Sequence, residues 1–332
     1  MTLLLPRRRL LAGTAALPLP GLLGTAAAQA PRPNGWPDRP VRIIVPFPPG
    51  GSNDTVARIL QPRLQEILGR PIVVDNRGGA SGSVGANEAQ RSPPDGYTWI
   101  LVNDTLAAND TLLSLPYKAT ENFSYATVVG TCPYAFVTQP GAPWRSFADV
   151  VTAARAAPGS LNYATTGAGS LAHIATVLLA QQRDIRLTHV PYRGGGPALQ
   201  DVLAGHVPLF MSNIVILLQH LRAGTLRALG VTTAEPSRFL AGVPTFAEQG
   251  FPGFSALTYW ALLGPGGIPE PIVAAMQQAV ALTLQDPNVK ARMEEQGADI
   301  RASSPADTAA FIRAEAARWG AVIRDNNIKV ET

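Results

Sequence analysis

The chain has 332 residues, 46% of them apolar and 15% charged, with a single cysteine, which excludes both a disordered segment and a disulfide-stapled scaffold. Its formal charge is +4, from 27 Lys and Arg against 23 Asp and Glu; without Arg7, Arg8 and Arg9 the counts are 24 and 23, leaving +1. A near-neutral body without a Lys/Arg run offers no footprint for nucleic acid or an anionic membrane, and the length suits two domains of ordinary size.

Residues 1–28 read as a signal peptide: a basic start at Arg7-Arg8-Arg9, an apolar stretch, then the small residues Ala26-Ala27-Ala28. Pro18, Pro20 and Gly21 interrupt the apolar stretch and argue for cleavage over anchoring. Cleavage after Ala28 is preferred to cleavage after Ala30, which would leave Pro31 first. The run of arginines before Leu10-Leu11 suits a twin-arginine route and the general one equally. The mature protein is expected to be soluble and periplasmic. Cys132 lies too far from the cleavage region to carry a lipid and has no disulfide partner.

In the mature chain, short apolar runs alternate with helical periodicity. The pattern predicts a strand over 41–47 and a helix carrying Val56, Ile59, Leu60, Leu64 and Ile67, bent at Pro62 and stopped by Gly69. A strand over 72–74, a glycine-rich turn, a helix near 84–90 and a strand over 98–102 follow. Further on, strands over 134–138, 161–164, 187–190, 207–211 and 226–231 alternate with helices over 147–156, 170–181, 197–204 and 214–223. Ser146 is the expected cap of the helix at 147. The last third brings a strand-like run over 254–263 and helices over 270–284, 287–296 and 305–326, the last opened by Ser304 and Asp307. Such alternation implies an α/β fold with helices on both faces of its sheets, and ligands bind such sheets at the carboxyl ends of their strands.

Two strand-to-helix loops have the composition of an anion cradle. The first is Phe47-Pro48-Pro49-Gly50-Gly51-Ser52-Asn53-Asp54, where glycines permit close approach and a helix start offers N–H groups; a rigid turn capped by Ser52, Asn53 or Asp54 explains the same residues. The second, Thr165-Thr166-Gly167-Ala168-Gly169-Ser170, adds hydroxyls and leads to His173, which fits a packed or capping histidine as well as a ligand contact. Its match to a dinucleotide fingerprint is poor, because no strand-borne acid follows at the required distance. The glycine-rich segment 76–86 lacks the ending of a phosphate loop and reads as a structural turn, and Arg193 beside Tyr192 as either a cleft residue or a solvated charge. The histidines show no metal-binding spacing, so neither metal nor cofactor is expected. No nucleophile, base and oxyanion hole assemble, which leaves an exported hydrolase using Ser81 or Ser170 as a minor alternative.

From Trp36 onward the chain resembles the Bug family (Bordetella uptake gene type) of periplasmic binding proteins, the TctC-like receptors of tripartite tricarboxylate transporters. The resemblance rests on WPDRPVRIIVPFPPGGSND, VVDNRGGASGSVGA with PDGYT, YATTGAGSLAH, VPYRGGGPALQDVLAGHV, LRAGTLRALGVTT, the stretch from Trp260 through GIPEPIV, and AEAARWGAVI. It implies a type II-like clamshell with residues 31–131 and 255–332 in one lobe and 132–254 in the other, each a mainly parallel sheet flanked by helices. The crossings are expected near 130–133 and 250–254, returning the last helices to the first lobe. It further implies a carboxylate held by the loops at Phe47 to Asp54 and Thr165 to Ser170, with Ser81, Asn103, Thr105, Tyr192 and Ser212 at the cleft. A monomer serving transporter membrane subunits, or a periplasmic sensor domain, is the implied assembly. Where many members carry an acid after the G-H-V stretch, this chain reads Pro208-Leu209-Phe210-Met211-Ser212-Asn213, which argues against an amino-acid ligand.

Overall fold

The computed structural model describes residues 33–329, so the expected signal peptide lies outside the described residues. The first sheet is built on β1 (Val41–Val45), which pairs in parallel with β2 (Ile72–Asn76) and β3 (Thr98–Val102). Helix α1 (Ser52–Leu68) joins β1 to β2; it continues through the exposed Pro62 and ends where Gly69, at φ 66°, donates its N–H to Gln65 O. Helix α2 (Ser83–Gln90) leads to β3, and α3 (Thr105–Leu112) follows it.

Strand β4 (Phe123–Thr138) joins the two halves. Residues 123–133 pair antiparallel with β9 (Leu257–Pro265) in the first sheet, and residues 134–138 pair antiparallel with β7 (Leu209–Asn213) in the second, where β8 (Arg227–Val231) also joins. The second sheet continues through β5 (Asn162–Thr165), parallel to both β7 and β6 (Thr188–Pro191). Both sheets are therefore mixed rather than mainly parallel, because β4 pairs antiparallel in each and β9 returns beside it in the first. A two-residue strand, β10 (Asp299–Ile300), edges β4 at Gly130 and Thr131.

The second sheet carries α4 (Phe147–Ala156), α5 (Leu171–Gln182), α6 (Gly195–Ala204) and the short α7 (Leu218–Arg222), which replaces the longer helix expected over 214–223. Helix α4 opens with the complete capping box: Ser146 Oγ accepts from Asp149 N, and the Asp149 carboxylate accepts from Ser146 N. Ser146→Ala should lower stability by about 1 kcal/mol, read as a fall in the urea midpoint at unchanged slope. Beneath this sheet Phe147 meets Phe136, Phe246 and Phe251 edge-on, with centroids 5.2–5.6 Å apart.

Helices α8 (Glu270–Gln285), α9 (Pro287–Glu295) and α10 (Pro305–Asp325) close the chain. Ser304 caps α10 by accepting from Asp307 N. This last helix packs on the first half and reaches the second with its end. It starts against β9, where Phe311 packs edge-on on Tyr259, but its end reaches α5, where Gln181 Nε2 donates to Asn326 O at 3.0 Å.

Candidate functional site

The carboxyl ends of β1, β2, β5 and β6 all point into one gap between the sheets, the position where open α/β sheets leave room for ligands. The loops leaving them enclose a cavity of about 610 Å³, within the range of small-molecule sites. One wall comes from the first half: Phe47, Pro48 and Pro49 after β1, then Asn76 and the run from Gly78 to Gly82 after β2. The other comes from the second half: Thr166, Gly167 and Ala168 after β5, then Pro191, Tyr192 and Arg193 after β6. Of the residues expected at the site, Phe47, Pro49, Ser81, Thr166, Gly167, Ala168 and Tyr192 therefore meet around one space.

Main-chain donors dominate this surface. The N–H groups of Thr166 and Ala168, and those of Gly78, Gly79, Ala80 and Ser81, have no acceptor among the described residues. Ala80 and Ser81 sit at φ 43° and 51°, a left-handed backbone that costs energy for residues with a Cβ. Segment 76–86 therefore turns the chain and also borders the cavity, through Asn76 and the run from Gly78 to Gly82. The start of α1 makes the same point: Gly51 at the N-cap supplies no side-chain bond, Ser52, Asn53 and Asp54 are buried, and their N–H groups have no acceptor among the described residues. A buried helix start in this condition favours a negative partner.

Several of the expected contacts carry framework bonds. Asn53 is 2% exposed and its Nδ2 donates to Leu101 O at 2.8 Å, tying α1 to β3. The Asp54 carboxylate accepts from Arg58 Nε and Gly50 N, each at 3.0 Å, and from Asn76 Nδ2 at 3.1 Å. Burial pushes its pKa up, but those bonds outweigh burial and hold it below the usual carboxylate value. Thr105 donates its N–H to Asn103 Oδ1 at 3.3 Å, so both residues shape the start of α3. Asn103 also borders a cleft of about 10 Å³ that shares Phe47, Ser81 and Gly82 with the lining of the main cavity. Ser212 is fully buried on β7 and does not border the main cavity.

The Thr165 to Ser170 loop is held from behind. Thr165 Oγ1 lies 2.7 Å from His189 Nε2 and accepts from Gly167 N at 3.3 Å. Gly169 N donates to His173 Nδ1 at 3.2 Å, and Ser170 Oγ caps α5 by accepting from His173 N at 3.3 Å. His173 stacks on His189 with centroids 4.0 Å apart. Burial lowers the pKa of His173 to about 4, and burial with the neighbouring His173 lowers that of His189 to about 3, so both rings are neutral near pH 7. His173 is a loop-shaping residue rather than a charge presented to the cavity. Ser81 and Ser170 have no imidazole partner among the described residues that could activate them.

The two halves touch across the gap. Ser81 Oγ donates to Ala168 O, and Asn213 Nδ2 at the end of β7 donates to Ser52 Oγ at 3.0 Å. Glycine permits the tightest approaches: a Cβ on Gly167, at φ 152°, would lie 2.8 Å from Ser81 Oγ, and one on Gly194, at φ 138°, would lie 3.1 Å from Pro48 Cδ. Among the described residues no helix is long and apolar enough to cross a membrane.

Residues 56–328 match the family described as tripartite tricarboxylate transporter family receptor. Protein BugT of Bordetella pertussis is 36% identical over 313 residues, covering 93% of this chain and 96% of that protein. Two solved structures from Rhodopseudomonas palustris share the fold along nearly their whole length. One, solved with adipate, has a TM-score of 0.85 at 34% identity and covers 89% of this chain and 99% of its own. The other, MatC with bound malate, has a TM-score of 0.83 at 31% identity and covers 87% of this chain and 100% of its own.

Proposed function

This chain belongs to the tripartite tricarboxylate transporter receptor family, and on that premise we propose that it is an exported, non-catalytic receptor that captures a small organic carboxylate between two lobes for a transporter's membrane subunits. The observation that carries this reading is the cavity itself. Residues of both halves that line it carry main-chain N–H groups without an acceptor among the described residues, and none of its described lining side chains is acidic. N–H donors held in place by the fold bind an anion without a buried counter-charge and without reorganising first. The relatives solved with malate and adipate hold ligands of this chemical class.

In this reading the protein is a periplasmic monomer, residues 132–254 form one lobe and the flanking segments the other, and closure brings Ser81 and Pro48 of the first against Gly167 and Gly194 of the second. Gly50, Gly51 and Ser52 act from the floor through the start of α1. With no acid at the cavity, a ligand ammonium has no partner, so the ligand is an acid with a neutral tail or a second carboxylate. Saturable micromolar binding of aspartate or glutamate would remove that restriction.

The test is a thermal-shift panel of mono-, di- and tricarboxylates and aromatic acids on the mature protein. A ligand present at about 100 times its dissociation constant should stabilise the fold by about 2.7 kcal/mol. The acid should be recovered unchanged after long incubation. A protein that no acid stabilises, or one that turns an acid or its ester over, would overturn the proposal.

A further inference from the structure

Arg193 stands apart from Arg58, which pairs with Asp54 at 3.0 Å beside the cavity-lining Asn76, and from Arg77. Arg77, on the neighbouring loop, is engaged by Asp75 at 3.2 Å and Glu88 at 3.7 Å. Arg193 borders the cavity directly, is exposed, and has no hydrogen-bond or ion-pair partner among the described residues. Its backbone is nonetheless held on both sides. Tyr192 before it donates its hydroxyl to Asp201 Oδ2 at 2.6 Å and its N–H to Thr165 O at 3.2 Å. Gly194 after it, at φ 138°, lets the chain lie so close to Pro48 that a Cβ would come within 3.1 Å of the ring. Asp201, the acid nearest to Arg193 along this segment, is taken by Tyr192 and by His206 Nδ1 at 3.3 Å.

A free guanidinium on a pinned loop, one strand away from the Thr166 to Ala168 donors, gives the cavity a second positive pole. We propose that Arg193 is a specificity-determining residue that selects acids carrying a second anionic group, so that the preferred ligands are dicarboxylates rather than monocarboxylates or amino acids. This inference rests on the carboxylate-receptor reading above and narrows it. The first carboxylate takes the main-chain donors, and the distal one reaches the Arg193 fork, which suits a planar carboxylate bidentately. A distal ammonium meets a like charge with no acid to offset it. Because Arg193 is exposed, its pull is moderate and falls with added salt.

The experiment is isothermal titration of the mature protein and of R193Q and R193K with straight-chain diacids from succinate to suberate, each paired with the monoacid of equal carbon number. At low salt the native protein should bind at least one diacid more tightly than its paired monoacid. In R193Q the ratio of diacid to monoacid affinity should fall about fivefold to tenfold; R193K should keep part of it, and salt should reduce it in the native protein. An equal ratio in the native protein and R193Q, or a native preference for monoacids, would overturn the role of Arg193 while leaving the receptor reading intact. No binding by any acid of either series to a folded protein would count against the receptor reading and remove this inference with it.

Discussion

Gly167→Val should abolish ligand binding, with an affinity loss of at least a hundredfold, while the protein stays folded. Gly167 sits at φ 152°, where a β-branched residue is strained, and a Cβ there would lie 2.8 Å from Ser81 Oγ and 3.5 Å from Tyr192 O. The first contact belongs to the opposite half, so the added side chain holds the two halves apart where Ser81 now bonds Ala168 O. It also turns the Thr166 and Ala168 N–H groups away from their common target. Strain at one such residue costs on the order of 1–3 kcal/mol, and an opened gap relieves most of the steric part, so the unliganded midpoint should drop by only a few degrees. Gly141, whose Cβ would meet nothing within 4 Å, supplies the control: Gly141→Val should bind like the native protein. The measurement is the ligand-induced thermal shift of each variant beside its far-ultraviolet circular dichroism. A normal shift in Gly167→Val would mean that the ligand is not gripped between these loops.

Much of this arrangement was legible in the residues, for reasons that differ by element. The capping box of α4 and the Ser304 cap of α10 are local: the residues that satisfy the first N–H groups are adjacent in sequence. Strands β1, β3 and β5 announced themselves as short apolar runs beside turn residues. Strand β4 did not: of its 16 residues only the last five were expected, because it is buried on both faces, is interrupted by Gly130 and Pro133, and shifts register twice against β9. Helix α3 carries no apolar stripe and is held by the buried Leu106, Ala107 and Ala108, a tertiary cause that no local pattern reports. At the site, composition identified the loops but could not tell cavity-facing atoms from framework. Asn53 and Asp54 look like donors and acceptors for a ligand, and only the fold shows their bonds to Leu101, Arg58 and Asn76; segment 76–86 looks like a plain turn, and only the fold shows that it borders the cavity.

The largest expected effect on stability lies where the chain first crosses between the sheets. Asp104, at the N-cap of α3, is 1% exposed; Tyr134 Oη, on the first residue of β4 in the second sheet, donates to its Oδ2 at 2.8 Å, and Thr105 Oγ1 lies 3.3 Å from Oδ1. Burial dominates and raises its pKa from 3.8 to about 6, although the hydroxyl bonds pull the other way. Between the unfolded value of about 3.9 and the folded value the native state binds the extra proton, so this group's contribution is greatest at low pH. It is lost as pH rises through the window from about 4 to about 6, and a difference of two units amounts to about 3 kcal/mol. Asp54 and Asp75, whose pKa values are lowered, act in the opposite sense as pH falls, but they are common to the native protein and to Asp104→Asn. The difference in unfolding free energy between those two chains therefore isolates Asp104. The carboxamide keeps an acceptor for Tyr134 and introduces an NH₂ that needs partners, a cost that is the same at every pH. Relative to the native protein, Asp104→Asn should gain about 2 kcal/mol between pH 4 and pH 7.5, read from urea unfolding at the two values. A difference that does not change with pH would mean that the carboxyl is not held uncharged by burial. The bond from Tyr134 would then join the sheets through an anion across the whole range.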